Sequence, residues 1–340
     1  MTSLLHPQLV HEPFGDPGLY VECLFENRAF LIDLGDLQPL SSRKLLRVSH
    51  VFVTHTHMDH FSGFDRLLRV CLGRAKRLHL FGPPGFGERV HHKLAAYTWN
   101  LVRYYETDFT IWVGEIRSAD ELVELEFRCR NGFEPEATGK RAIADGVILD
   151  EANLRIRTTF LDHDIPCLAF AIEEKQHVNV WKNRVEEMGF RVGPWLRELK
   201  QAVGRDEPED KPFPVRWRED GAPREAWVPL GVLKAQVLRI VPGQKVTYVT
   251  DVVYHRRNEA KIVELARGSH TLFIETPFMH EDADKAARKR HLTTRQAGAM
   301  ARKAEAKRMV PFHFSPRYTG REDDLRREAL AAFEHGQTPR

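Results

Sequence analysis

The run Thr54-His55-Thr56-His57-Met58-Asp59-His60 constrains this chain more than any other feature. It follows directly on the apolar residues Val51-Phe52-Val53, which read as a strand. Side chains at i and i+2 of a strand point the same way, so His55 and His57 can face one cation from the same side. If a helix begins at this point, Asp59 and His60 fall in its first turn and can reach a second cation close by. Imidazole nitrogen and carboxylate oxygen suit zinc or a related transition metal. Histidine makes up 17 of the 340 residues, too few for three of them and an aspartate to reach this spacing readily by chance. Surface histidines on a strand-to-helix turn would be the bland alternative, and would need no such order.

The remaining pattern alternates strands and helices. Residues 19–25 and 29–33 read as strands joined by the polar turn Glu26-Asn27-Arg28, and residues 78–81 as a strand stopped by Gly82-Pro83-Pro84-Gly85. Apolar spacing at Phe61, Phe64, Leu67, Leu68 and Cys71 predicts a helix over 61–72. A longer helix is predicted over 88–105, with Leu94, Tyr97, Trp99, Leu101, Val102 and Tyr104 as its core-facing surface. Strands return over 110–130, and the polar, Gly-containing residues 131–146 read as a loop or hairpin tip. Further strands are expected at 154–160, 167–173, 245–250, 271–275 and 309–314, with helices at 258–266 and 294–307. Thr293 and Gln296 have the spacing of a capping box. Residues 176–240, rich in proline and charge and with a helical stretch near 195–203, are the candidate for an inserted, projecting arm within a single domain spanning 1–340.

Composition restricts the setting more than the chemistry. An apolar fraction of 42% over 340 residues is enough for a full core. Cys23, Cys71, Cys129 and Cys167 are scattered, so neither a disulfide framework nor a cysteine metal knuckle is expected. There is no basic start followed by an apolar run, and no stretch of about 20 apolar residues that could cross a bilayer. A soluble, cytoplasmic protein with no membrane partner is the expectation. The net charge of +3 predicts no partner, but from Lys285 to Arg308 nine Lys or Arg face a single acid, Glu305. Such a positive field would suit a phosphate-bearing substrate. It would serve equally as a solvated helix face.

Thr-His-x-His-x-Asp-His resembles the signature of the metallo-β-lactamase superfamily. That resemblance implies an α/β fold of αββα type, two mixed sheets packed together with helices outside. It implies that Asp33, at the end of its strand, is the buried carboxylate supporting the ligand loop. Three later ligands are also implied, in order and at strand ends. The candidates are His163 in Phe160-Leu161-Asp162-His163-Asp164-Ile165-Pro166, Asp251 after Thr247-Tyr248-Val249-Thr250, and His313 in Pro311-Phe312-His313-Phe314. Taken singly, each is an ordinary polar residue at a strand end. Taken together, they imply His55, His57 and His163 on one metal, Asp59, His60 and His313 on the other, and Asp251 bridging.

The last third of the chain resembles the ribonuclease Z family, the tRNA 3′-processing endonucleases. The resemblance lies in His313-Phe314-Ser315-Pro316-Arg317-Tyr318, and in Glu275-Thr276 followed by His291-Leu292-Thr293-Thr294-x-Gln296-Ala297. It implies that His291 protonates the leaving ribose oxygen, that Glu275 orients its imidazole, and that Ser315 and Arg317 meet substrate. By itself, His291 would be a helix-leading surface residue in a basic stretch. Gly193-Pro194 resembles the Gly-Pro element of the arm that grips tRNA in that family. The chain also departs from the pattern. Its opening is not Gly-rich, Leu34-Gly35-Asp36-Leu37-Gln38-Pro39 is not the usual acidic, Gly-rich loop, and the arm lacks a basic cluster.

The implied activity is a phosphodiesterase with two zinc or other divalent ions such as Mn2+, cutting precursor tRNA at its 3′ end. Two cations about 3.5–4 Å apart can clamp both oxygens of an in-line displacement at phosphorus, with Asp59 accepting or orienting the proton of the attacking hydroxide. A homodimer is implied by the resemblance alone. The alternative is a hydrolase of the same fold acting on small phosphodiesters, cyclic nucleotides, lactones or thioesters. A degenerate member acting as a binding module would lack the full ligand set.

Overall fold

A computed structural model describes residues 4–24, 26–219 and 221–336. Residues 1–3, 25, 220 and 337–340, over which the N-terminal, first-strand, arm and single-domain readings run, lie outside the described residues. The chain divides into two compact units. The larger takes in Leu5–Leu149, Ile156–Ile172 and the described residues from Lys245 onward; the smaller takes in Asp150–Arg155 and Glu173–Gln244.

Two mixed sheets organise the larger unit. One has eight strands in chain order, from Leu5–Leu9 to Pro135–Ala142. Its middle is parallel, through Arg28–Ile32, Val48–Phe52, Arg77–Gly82 and Thr110–Ile116, and both ends are antiparallel. The other sheet begins with Met309–Phe312, Thr271–Glu275 and Lys245–Val249, all parallel, and continues through Pro166–Glu174, Leu154–Asp162 and Val147–Asp150.

The period of two along each strand sets the layers. Val51 and Val53 turn to one side and pack with Phe64, Leu67, Val90 and Leu94, on the helices Phe64–Cys71 and Phe86–Ala95. Phe52 turns to the other side, where its ring meets Phe81 at 5.2 Å and Phe170 of the second sheet at 5.5 Å. Beside Phe170, Ala169 and Ala171 face away and pack with Ile262, Leu265, Met300, Ala301 and Ala329, on the helices Arg256–Ala266, Thr294–Lys303 and Glu322–His335. The order is helix, sheet, sheet, helix, the expected αββα sandwich. Fully burying one phenylalanine contributes roughly 1.5–3 kcal/mol, so the ring layer of Phe52, Phe81 and Phe170 is a principal tie between the sheets.

Three local readings change. The helix predicted over 88–105 is Phe86–Ala95, followed by a separate turn at Val102–Tyr104. At the helix end the Leu94 carbonyl accepts from the Tyr97 N–H at 3.2 Å and from the Trp99 indole N–H at 2.9 Å, in place of the bond that another helical turn would make. Leu94 and Val102 are buried as expected, but Tyr97, Leu101 and Tyr104 are exposed. Residues 131–146 are not simply a loop, because Pro135–Ala142 is an exposed edge strand paired with Glu121–Arg128. Exposed on both faces, it carries no burial signal to read. The helix expected over 294–307 stops at Lys303, and its capping box at Thr293 and Gln296 is present.

The smaller unit contains the helix Trp195–Gly204, the hairpin of Pro212–Glu219 with Ala222–Pro229, and the antiparallel pair Gln176–Val180 with Leu238–Pro242. It has its own apolar interior of Trp195, Leu199, Val203, Phe213, Val215 and Leu233. Among the described residues, no helix is long and apolar enough to cross a membrane.

Candidate metal centre

Each candidate ligand is delivered where a strand stops. The strand Val48–Phe52 runs into His55 and His57, and the short helix Met58–Phe61 carries Asp59 and His60. His163 lies in the turn between the strands Leu154–Asp162 and Pro166–Glu174. The parallel strands Lys245–Val249, Thr271–Glu275 and Met309–Phe312 end at or just before Asp251, Glu275 and His313, at one edge of their sheet. Asp33, Asp251 and His313 hold left-handed backbone, with φ of 60°, 45° and 60°. This region costs a non-glycine residue of order 1–3 kcal/mol, and it is where three strands turn their polar side chains into the same space.

The donor atoms converge. Those of His55, His57, His163 and Asp251 all lie within 4.8 Å of one another, and so do those of Asp59, His60 and His313. Asp251 Oδ2 stands between the two groups, 3.5 Å from His55 Nε2, 3.5 Å from His60 Nε2 and 3.4 Å from His163 Nε2. His313 Nε2 is 3.6 Å from Asp59 Oδ2.

A cation fits this donor set. His55 Nε2 and His60 Nε2 are buried with no hydrogen-bond partner. Leaving such atoms unpaired costs about 1–3 kcal/mol each, a penalty that coordination removes. Burial, then neighbouring His60, pushes His55 down to about 2, so the ring is neutral, the form that ligates. Burial opposes charge on His60, yet Asp251 and Asp33 outweigh it and lift its pKa to about 10. Burial likewise opposes charge on His313, which Asp251 raises well above the usual range. The carboxylates of this centre therefore call for positive charge close by.

Outer partners fix the rings. Asp33 accepts from the Thr54 backbone N–H at 2.7 Å, the Thr54 hydroxyl at 3.0 Å and the Tyr248 hydroxyl at 3.2 Å, and pairs with His60 Nδ1 at 2.9 Å. His163 Nδ1 is 2.8 Å from the Arg290 carbonyl. The helix break at Ser62-Gly63 brings the Gly63 N–H to the Leu34 carbonyl at 2.8 Å. A Cβ at Gly63 would stand 2.1 Å from the Gly35 carbonyl oxygen, and one at Gly35 would stand 2.6 Å from that of Asp59. Tyr248, Gly35 and Gly63 were not singled out by the sequence, although a polar-tipped residue in an apolar strand and two isolated glycines were its available signals.

Glu275 and His291 sit beside the cluster. His291 Nδ1 is 2.8 Å from Glu275 Oε2, and Glu275 Oε1 accepts from the Leu292 N–H at 3.0 Å and the Val252 N–H at 3.2 Å. The His291 ring lies 5.1 Å from that of His163 and 5.7 Å from that of His313. Burial disfavours its protonation, but Glu275 overrides this and raises its pKa. Ser315 donates its N–H to the Pro277 carbonyl at 3.2 Å. Arg317 lies 3.5 Å from Asp282 and 6.0 Å from the Phe278 ring, which is itself 6.1 Å from the His291 ring. Gly193 and Pro194 belong to the smaller unit, where Pro194 leads the helix Trp195–Gly204.

The basic run 285–308 does not act as one unneutralised face. Lys285 pairs with Asp282, Arg290 with Asp164, Arg295 with Glu328 and Lys303 with Glu259.

A model of the beta-lactamase superfamily domain matches residues 19–156. The ribonuclease Z of Deinococcus radiodurans is 32% identical over 305 residues, covering 89% of this chain and 86% of that one. The ribonuclease Z of Treponema pallidum is 26% identical over 319 residues, covering 91% and 85%. In fold, the chain is similar to the metallo-beta-lactamase fold protein YhfI from Bacillus subtilis, with a TM-score of 0.52 at 14% identity, over 96% of this chain and 92% of that one. The sandwich and its histidine-rich centre define a metal-dependent hydrolase, and the chain belongs to the metallo-β-lactamase superfamily. Within it, these two relatives, which match nearly the whole length, carry the name ribonuclease Z.

Proposed function

We propose that this chain is a phosphodiesterase with two metal ions, and that it works as a ribonuclease Z-like endoribonuclease on the 3′ ends of precursor tRNA. The observation that carries the reading is the Glu275–His291 hydrogen bond of 2.8 Å beside the ligand cluster. A thiolate leaving group, as in a thioester, needs no proton donor, whereas a ribose alkoxide does. The ribonuclease Z relatives support RNA as the substrate.

His55, His57 and His163 would hold one ion, Asp59, His60 and His313 the other, and Asp251 both. When bound, such a pair supplies Lewis acidity toward phosphoryl oxygens and a water nucleophile at neutral pH; the mixed nitrogen and oxygen donors suit zinc or manganese. The half-exposed Asp59 carboxylate accepts or orients a proton of the attacking water. His291, with Nδ1 held by Glu275, presents Nε2–H to the departing ribose oxygen. Ser315 and Arg317 meet the substrate backbone, and residues 176–240, with Gly193 and Pro194, act as the arm that engages tRNA.

The test is incubation with a 3′-extended precursor tRNA beside a small aryl phosphodiester, with and without chelator. Cleavage at the acceptor-stem boundary, abolished by chelator, is expected. Hydrolysis of the aryl diester alone would replace tRNA with a small phosphodiester as substrate.

A further inference from the structure

A cleft of about 810 Å³ opens in the larger unit between the His163 loop and the start of the helix Arg256–Ala266. Its volume falls within the roughly 300–1,000 Å³ usual for ligand clefts. Phe160, Leu161, Asp162, Asp164, Ile165 and Pro166 line one wall, and residues 255–258 and Lys261 the other. Its first wall thus flanks His163 on both sides in sequence.

The charges in this cleft do not cancel. Asp162 lies 3.4 Å from His255, and Asp164 is paired with Arg290 at 3.1 Å. Lys261 donates to the Phe160 carbonyl at 2.7 Å, a neutral acceptor that leaves its charge in place. Arg256 and Arg257 are exposed and, among the described residues, have no carboxylate within ion-pair distance. Ile165 is a large apolar side chain left 38% exposed on the opposite wall. The walls are rigidly joined: Asn258 is buried, donates to the carbonyls of Asp162 at 3.1 Å and Val253 at 2.8 Å, and accepts from the Asp162 N–H at 3.2 Å. Exposed guanidinium groups without a carboxylate partner, across from the exposed Ile165 side chain, suit a strand with phosphates on one side and bases on the other.

We infer that this cleft binds a single-stranded RNA segment adjoining the scissile bond, with phosphates on Arg256, Arg257 and Lys261 and a base against Ile165. The inference rests on the RNA phosphodiesterase reading above and adds to it the path of the strand. Each phosphate contact to a single strand contributes about 0.7 to the slope of log affinity against log salt.

The experiment uses the full chain and a fluorescein-labelled oligouridylate, with anisotropy measured across a salt series. Arg256→Ala/Arg257→Ala should bind more weakly and flatten the salt slope by about 1.4, with aryl phosphodiester turnover unchanged. Arg256→Lys/Arg257→Lys should restore the slope, which separates charge from damage to the fold. An unaltered slope in the alanine variant, or a lysine variant that fails to restore it, overturns the cleft. So does wild-type protein that hydrolyses the aryl diester but does not bind the oligomer. Binding with the expected slope but without cleavage of any RNA upholds the cleft and removes the endoribonuclease reading instead.

Discussion

Asp33 Oδ2 and His60 Nδ1 lie 2.9 Å apart with both side chains fully buried. A carboxylate only accepts, so Nδ1 carries a proton toward Asp33, which leaves Nε2, facing Asp251 and Asp59, as the nitrogen that would hold a metal ion. Asp33→Asn keeps the size and can still accept from the Thr54 N–H, but its amide can no longer accept at every contact. Metal affinity in a chelator competition should fall about 10–100-fold. An unchanged affinity would mean that Asp33 serves the fold alone.

Gly63→Ala tests the packing that sets the angle of the ligand helix. The glycine has ordinary backbone, with φ of −73°, so strain of conformation is not at issue. Its close neighbour is a backbone oxygen, which cannot rotate away. The variant should lose about 1–3 kcal/mol in denaturant unfolding and carry less than the wild-type content of metal. Full stability with full metal would show that the Leu34–Gly35 segment yields.

Much of this convergence was legible in the sequence because the candidate ligands are chemically conspicuous and end apolar runs. His163, Asp251 and His313 each follow a readable strand, but singly they are ordinary polar residues, and it was the resemblance to the superfamily that singled them out. The left-handed backbone at Asp33, Asp251 and His313 was not legible, since nothing in an aspartate or histidine announces a positive φ. Nor was the partial neutralisation of the 285–308 run, whose partners Asp164, Glu259 and Glu328 come from distant segments. The false extension of the helix over 88–105 has the same root: Trp99 fits helical periodicity, but its indole reaches back to the Leu94 carbonyl and packs on Phe133 at 4.7 Å.

His50 should make the fold acid-labile. It is buried in the ring layer, stacked on His79 at 4.7 Å and near Phe52 and Phe81. Burial first, then His79, Arg28 and Lys76, pushes its pKa down to about 3, from 6.5. Above pH 6.5 neither the folded nor the unfolded chain binds the proton, and the contribution is fully present. Between pH 6.5 and about 3 the unfolded chain binds it and the folded chain does not, so stability is lost as pH falls. One proton corresponds to at most about 1.4 kcal/mol per pH unit. Denaturant unfolding of His50→Phe across this range should show a shallower pH slope than wild type. Parallel curves would show that His50 relaxes to solvent before it titrates.

The general-acid role proposed for His291 makes a prediction that depends on the leaving group. A ribose oxygen departs as a strongly basic alkoxide unless protonated, whereas a nitrophenolate leaves unaided. His291→Ala should therefore slow cleavage of an RNA phosphodiester by about 10²–10⁴-fold and slow an activated aryl phosphodiester far less. Glu275→Gln should act in the same direction. It removes the carboxylate that raises the His291 pKa, so the protonated fraction falls and the alkaline limb of the RNA rate profile moves to lower pH. Because Glu275 also accepts from the Leu292 and Val252 N–H groups, metal content should be measured alongside. Equal losses on both substrates, with metal retained, would place His291 in ground-state binding and leave the departing oxygen to another donor.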